Sequence, residues 1–185
     1  MPQRVAIVLA EGFEETEAIA VIDVLRRAAV EVLMAAAQGP PGPVRGSHQI
    51  TVLADTSLPD LQPAALAMVI LPGGMPGSSH LAANRAVLDL LRAVHRAGGT
   101  VAAICAAPIA LQAAGLLAGR RVTCYPGFER QLAGAVYTGA TVEQDGRIVT
   151  SRGPGTALRF ALELLRVLGH DDQAEQLRQG MLVEA

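Results

Sequence analysis

Four short aliphatic runs, separated by stretches with helical spacing, limit what this 185-residue chain can become. Arg4 to Ala10, Glu31 to Ala36, Ala67 to Leu71 and Thr100 to Ile104 read as strands, and the near-continuous apolar character of the first marks one buried on both faces. The Glu11-Gly-Phe-Glu loop leads into a helix through about Ala29, with Ile19, Ile22, Leu25 and Ala29 on one stripe. A second helix covers Asn84 to Ala97, with Leu88, Leu91 and Val94 on one face and Gly98-Gly99 closing it. Strands that alternate with helices predict an α/β domain with a mostly parallel sheet covered on both faces and right-handed crossovers.

The rest of the chain fits that plan. Gly39-Pro-Pro-Gly-Pro is a turn cluster, and Ile50 to Leu53 belongs to a hairpin excursion. The run from Thr100 enters Cys105, and a helix departs at once and stops near Gly115. Arg121 to Cys124 is a short strand, and Val136 to Thr138, Thr141 to Glu143 and Arg147 to Thr150 are strands around the Asp145-Gly146 turn. Ser151-Arg-Gly-Pro-Gly-Thr leads into a helix to Leu168 with Ala161, Leu165 and Leu168 inward, and a last helix covers Asp171 to Gln179. With no repeat and no long linker, residues 1–185 are expected to form one domain.

Composition removes whole classes of function. Half of the residues are apolar, 17% are charged and the formal net charge is −2, which suits a globular protein and gives nucleic acid no basic surface. No apolar run approaches the ~20 residues of a membrane span, and Glu11, Glu14, Glu15 and Glu17 speak against a signal peptide, so a cytoplasmic location is expected. Cys105 and Cys124 have neither CxxC nor zinc-ligand spacing, so no metal is expected. Every basic side chain is Arg. The absence of Lys excludes a lysine Schiff base, a pyridoxal-phosphate anchor and a Walker-A lysine.

Open α/β sheets bind ligands beyond the carboxyl ends of their strands, and three such ends here carry unusual residues. They are the acidic loop after the first strand, Pro72-Gly73-Gly74, and Cys105-Ala106. A sulfur at a strand end and a helix start together would feel the helix's free N–H groups, which lower a cysteine pKa from ~8.5 into roughly 3.5–7.5. Small residues on both sides of Cys105 suit a nucleophile elbow, with the N–H groups of the Gly73-Gly74 turn and of Ala106 as an oxyanion hole. Taken singly, each feature has an ordinary explanation. Cys124 reads as a buried structural thiol, the acids as partners of a helix dipole, and His48, His80, His95 and His170 as surface or loop residues.

Four ordered blocks, Glu11-Gly-Phe-Glu-Glu-Thr-Glu17, Leu71-Pro-Gly-Gly74, Ala102-Ala-Ile-Cys-Ala-Ala-Pro108 and Thr150-Ser-Arg-Gly-Pro-Gly-Thr156, closely resemble the DJ-1/ThiJ/PfpI superfamily, and its DJ-1-like bacterial branch above all. The resemblance implies a flavodoxin-like three-layer sandwich and a homodimer. It implies Cys105 as nucleophile, Glu17 as its proton-carrying partner, and Gly74 and Ala106 as oxyanion donors. Gly73, Tyr125, Gly153 and Pro154 would line the pocket, with Glu14 and Arg27 as structural or interfacial matches. Two departures narrow the reading. PfpI-type members place His directly after the cysteine, where this chain has Ala106, and no His here is followed two positions later by Glu, as glutamine amidotransferases require. Tyr125 stands where the member that gives the family its name carries a His. A phenol with a pKa of ~10 is a poor proton shuttle.

The resemblance implies a cofactor-independent, glutathione-independent glyoxalase or deglycase. Cys105 would add to a methylglyoxal-type 2-oxoaldehyde, and Glu17 would move a proton between adjacent carbons to give a 2-hydroxy acid. The partners are then a small aldehyde and a second copy of the chain, with no membrane, and nucleic acid only as a glycated substrate. The rival expectation is a redox sensor or stress chaperone acting through oxidation of Cys105, with Glu17 stabilising a sulfinate.

Overall fold

The computed structural model describes residues 3–184. In chain order it contains β1 (Arg4–Leu9), α1 (Glu15–Arg27), β2 (Glu31–Ala36), β3 (Pro43–Arg45), β4 (Thr51–Leu53), β5 (Thr56–Ser57), β6 (Met68–Leu71), α2 (Gly77–Ala83), α3 (Arg85–Arg96) and β7 (Thr100–Ile104). There follow α4 (Pro108–Ala113), β8 (Arg121–Val122), β9 (Val136–Tyr137), β10 (Val142–Asp145), β11 (Ile148–Ser151), α5 (Ala157–Val167) and α6 (Asp171–Gly180).

One seven-stranded sheet runs in the order β10-β11-β7-β6-β1-β2-β5. All its pairs are parallel except β10 with β11, which flank the Asp145-Gly146 turn. The β3–β4 ribbon and the β8–β9 pair stand apart from it. The order turns around between β1 and β6, and the register sets Leu71 opposite Ala103 and Ile104 opposite Ser151. The carboxyl ends of β1, β6, β7 and β11 therefore open along one edge, at the switch point where such sheets take ligands.

Strand alternation feeds two cores. Val5, Ile7 and Leu9 of β1 pack with Val21 and Leu25 of α1 and Phe160, Ala161 and Leu164 of α5. Ala6 and Val8 face the other way, toward Val87, Leu91 and Val94 of α3 and Ala110 and Leu111 of α4. Each fully buried Leu or Phe contributes ~1.5–3 kcal/mol of transfer free energy, so aliphatic residues hold both layers without a tryptophan. This is the flavodoxin-like three-layer α/β arrangement.

The structure shifts several sequence-based boundaries. On α1 the buried apolar positions are Ala18, Val21, Ile22, Val24 and Leu25, whereas Ile19, and Ala29 beyond the helix, face out. The 3.6-residue period allowed two neighbouring stripes, and tertiary packing chose between them. Helix α2, in the Ser/Gly-rich segment after β6, has no apolar periodicity to announce it. The helix after Cys105 begins three residues later than expected, at Pro108, and ends at Ala113. Arg121 to Val122 pairs in parallel with β9, so the expected strand to Cys124 is shorter.

Candidate active site

Cys105 has a backbone φ of +64°, the left-handed region that a side chain with a Cβ enters at a cost of ~1–2 kcal/mol. Bonds on both sides hold it there. Its N–H donates to the Ser151 carbonyl at 3.0 Å, and its own carbonyl accepts the Tyr125 N–H at 2.9 Å. The chain then turns, with the Ala107 N–H donating to the Ile104 carbonyl at 3.0 Å. The sulfur is thereby thrown onto the α1–α5 side of the sheet, where only 9% of the residue remains exposed.

Glu17 approaches from α1 and is fully buried. Its Oε2 accepts the Gly73 N–H at 2.7 Å, and its carboxyl is set against the Cys105 thiol, each shifting the other's proton affinity. Its buried Oε1 has no hydrogen-bond partner among the described residues. Gly73 fits between the two because it lacks a side chain. A methyl there would lie 2.5 Å from Cys105 Cβ and 2.7 Å from Glu17 Oε2. The N–H groups of Gly74, at φ +88°, and of Ala106 both donate to the sulfur. Cys105, Glu17, Gly73, Gly74 and Ala106 thus converge.

Burial pushes the Glu17 carboxyl up to about 7. The Gly73 N–H and the Cys105 thiol pull it down, and the charge of Glu14 adds to the rise. Burial likewise pushes the Cys105 thiol up to about 12, helped by the charge of Glu17 and the hydrogen bond to it, against the Gly74 and Ala106 N–H groups. Burial against a carboxyl thus works against the acidification expected of a sulfur at a helix start. The following helix is only six residues long and begins on Pro108, which has no N–H to offer, while the sulfur is buried against a carboxyl group. The two groups titrate as a pair.

Tyr125, Gly153 and Pro154 line a hollow of about 280 Å³ together with Pro126, Arg152, Gly155 and Thr156. It adjoins the elbow through Tyr125, whose N–H bonds the Cys105 carbonyl, although Cys105 is not among its walls. The Tyr125 ring is half exposed and meets Phe128 edge-on at 6.5 Å. A larger hollow of about 400 Å³, along α5 and α6, contains none of the site residues. Cys124 is fully buried in the α3–α4 core, its thiol pushed up to about 11 by burial and by Glu129 against the pull of Arg152, as suits a structural residue. Arg27 pairs with Asp23 at 2.8 Å on the surface of α1.

The acids that opened α1 do more than meet a dipole. Glu14 is its N-cap, with Oε2 accepting the Glu17 N–H at 2.7 Å. Glu15 is buried, and its carboxylate accepts the His48 N–H at 2.6 Å and bonds the His48 ring at 2.8 Å, which staples the β3–β4 ribbon to α1. The Glu-Glu-x-Glu spacing carried the capping signal, but the partner His48 is too far away in sequence to be read. Glu14, Glu15 and His48 offer ligand atoms within 4.8 Å of one another, and those of Glu15 and Glu14 Oε2 are taken up by these hydrogen bonds.

The DJ-1/PfpI family model matches residues 3–167. The chain is 39% identical to Protein dj-1beta of Drosophila melanogaster, over 99% of this chain and 98% of that protein. It is 35% identical to the Caenorhabditis elegans protein named glutathione-independent glyoxalase DJR-1.2, over 95% and 94% of the two. The crystal structure of Drosophila melanogaster DJ-1beta superposes with a TM-score of 0.95 at 38% identity, covering 100% of both chains. The structure titled Toxoplasma gondii DJ-1, oxidized, gives 0.93 at 34% identity, covering 99% of this chain and 100% of that one.

Proposed function

The chain belongs to the DJ-1/PfpI family, and from that premise we propose that it is a glutathione-independent glyoxalase or deglycase acting on small 2-oxoaldehydes or their early adducts. The observation that carries the reading is the buried Glu17 carboxyl set against Cys105 at a strained elbow, with Gly73 between them and the Gly74 and Ala106 N–H groups turned toward the sulfur. The name of the nematode relative supports the same substrate class.

The Glu17 carboxyl and the Cys105 thiol, both raised by burial, share one proton. As the Cys105 sulfur adds to the aldehyde carbon, the thiol proton passes to Glu17 and the carbonyl π electrons move to oxygen. The Gly74 and Ala106 N–H groups, already aimed at the sulfur, receive that oxyanion. Protonation by Glu17 gives a hemithioacetal. Glu17, again a carboxylate, takes the hydrogen on the former aldehyde carbon as a proton to leave an enediolate; the hydroxyl proton on that carbon moves to the neighbouring oxygen, and Glu17 returns its proton to the adjacent carbon. The resulting thioester loses its acyl group to water, which frees the thiol and a 2-hydroxy acid. Water is the sole co-reactant. No redox partner or metal enters the balance.

Glu17 is the titratable side chain set against Cys105, so it carries each transfer. Exposed Ile19 on α1, with Ile50 and Leu53 on the ribbon that Glu15 holds, supplies apolar surface for the second copy expected from the family. The test is lactate formation from methylglyoxal without glutathione. Wild type turns over and Cys105→Ser does not, and equal rates for the two contradict the reading.

A second reading rests on the same proton. A protonated Glu17 beside Cys105 would donate a hydrogen bond to a sulfinate formed there by peroxide. Conversion of Cys105 to a sulfinate that is lost in Glu17→Gln supports a sensing role, with or without turnover.

A further inference from the structure

Three residues close a ring of hydrogen bonds around the pair. The Glu14 N–H donates to the Gly73 carbonyl at 2.8 Å, the Gly73 N–H to Glu17 Oε2 at 2.7 Å, and the Glu17 N–H to Glu14 Oε2 at 2.7 Å. The ring ties the first turn of α1 to the loop after β6, and so fixes both the backbone and the carboxyl of Glu17. Glu14 is 91% buried, the complement of its 9% exposure. A helix cap needs only an acceptor oxygen, which a neutral side chain also supplies. A buried charge in this place calls for another role.

We propose that Glu14 is a positioning residue for the Glu17–Cys105 pair, whose carboxylate fixes Glu17 and sets a like charge beside it. The charged and titratable groups around it are few. Glu15 precedes Glu17 on α1, Cys105 faces Glu17 from the elbow, and His48 of the loop between β3 and β4 lies 3.9 Å from Glu14 Oε1. His48 is engaged first with Glu15, at 2.8 Å, and its side chain is 71% exposed, so it screens Glu14 only from outside. Among the described residues no arginine pairs with Glu14 or Glu17. The charge of Glu14 therefore acts on Glu17 with little opposition, in the direction of retaining the proton.

The inference rests on Glu17 as the proton partner of Cys105, and the test separates the two claims. The measurement is the rate of Cys105 alkylation by iodoacetamide against pH, read by peptide mapping, which requires no turnover. In wild type the rate rises as Glu17 gives up its proton, near pH 7, and becomes a base that takes the thiol proton as the sulfur is alkylated. Glu14→Gln keeps the acceptor and removes the charge, so the midpoint should fall by about half a pH unit. Glu14→Ala should also lose several-fold in the maximal rate, and Gln should restore that rate relative to Ala. A Glu14→Gln midpoint equal to wild type overturns the proposal, as does a Gln variant no faster than Ala. Should Ala fail to fold by circular dichroism, the Gln midpoint still decides. The control is Glu17→Gln. If it leaves the midpoint in place, the pair itself fails, whereas a shift in Glu17→Gln without one in Glu14→Gln sinks Glu14 alone.

Discussion

The Gly73 N–H meets Glu17 Oε2 at 2.7 Å, and the volume a Gly73 side chain would occupy is already filled by that same carboxyl and by Cys105. The loop after β6 is thus the spacer that sets the distance between carboxyl and thiol. Gly73→Ala forces a methyl to within 2.5 Å of Cys105 Cβ and 2.7 Å of Glu17 Oε2. We expect a stability loss of ~1–3 kcal/mol in urea unfolding and a larger, separate loss of Cys105 alkylation rate, because the pair must spread to admit it.

Glu17 costs stability at neutral pH. Its folded pKa, raised by burial to about 7 from an ordinary 4.5, means that the folded state keeps a proton the unfolded chain has released. Stability from this group is therefore full below about 4.5 and declines as pH rises to about 7, by on the order of 3 kcal/mol. Glu17→Gln has no such decline. Denaturant unfolding should find it more stable than wild type at pH 8 and close to wild type at pH 4.5. A constant difference across that range contradicts burial as the cause.

The elbow strain predicts an order among inactive variants. At φ +64° Cys105→Ala retains a Cβ in the left-handed region, whereas Cys105→Gly does not. Cys105→Gly should be the more stable of the two by ~1 kcal/mol, net of the glycine's greater unfolded-state entropy. The reverse order in urea unfolding would mean that the turn is unstrained.

Leu91 is fully buried in the core between α3 and the sheet, on the face away from the sulfur. Leu91→Ala should cost ~2–5 kcal/mol in denaturant unfolding. The midpoint of Cys105 alkylation should stay where it is, because the site is fixed by backbone bonds at the strand ends.

What the sequence disclosed and what it hid divide along the range of the interactions. β1, β6 and β7 are aliphatic runs, and their burial on both faces is a local property of composition, so the parallel sheet and its switch point were legible. The convergence of the acidic loop, the Gly73-Gly74 turn and Cys105 followed from topology, since the carboxyl ends of neighbouring parallel strands must share an edge. Helix α2 was not legible, because Gly77-Ser-Ser-His has no apolar period. Part of what sets the proton affinity of Cys105 was hidden for a physical reason. A helix start is visible in sequence, but desolvation and the approach of Glu17 across the sheet are not, and here they outweigh the N–H groups. The link between Glu15 and His48 spans 33 positions and leaves no local trace.

The central claim is that Glu17 moves the protons while Cys105 holds the substrate. The rate of lactate formation by Glu17→Gln, with methylglyoxal and no glutathione, tests it most directly. The account predicts a fall of ~10²–10⁴-fold from wild type, with Cys105 still open to alkylation and to adduct formation by mass spectrometry. A Glu17→Gln variant that retains turnover within tenfold of wild type would contradict it.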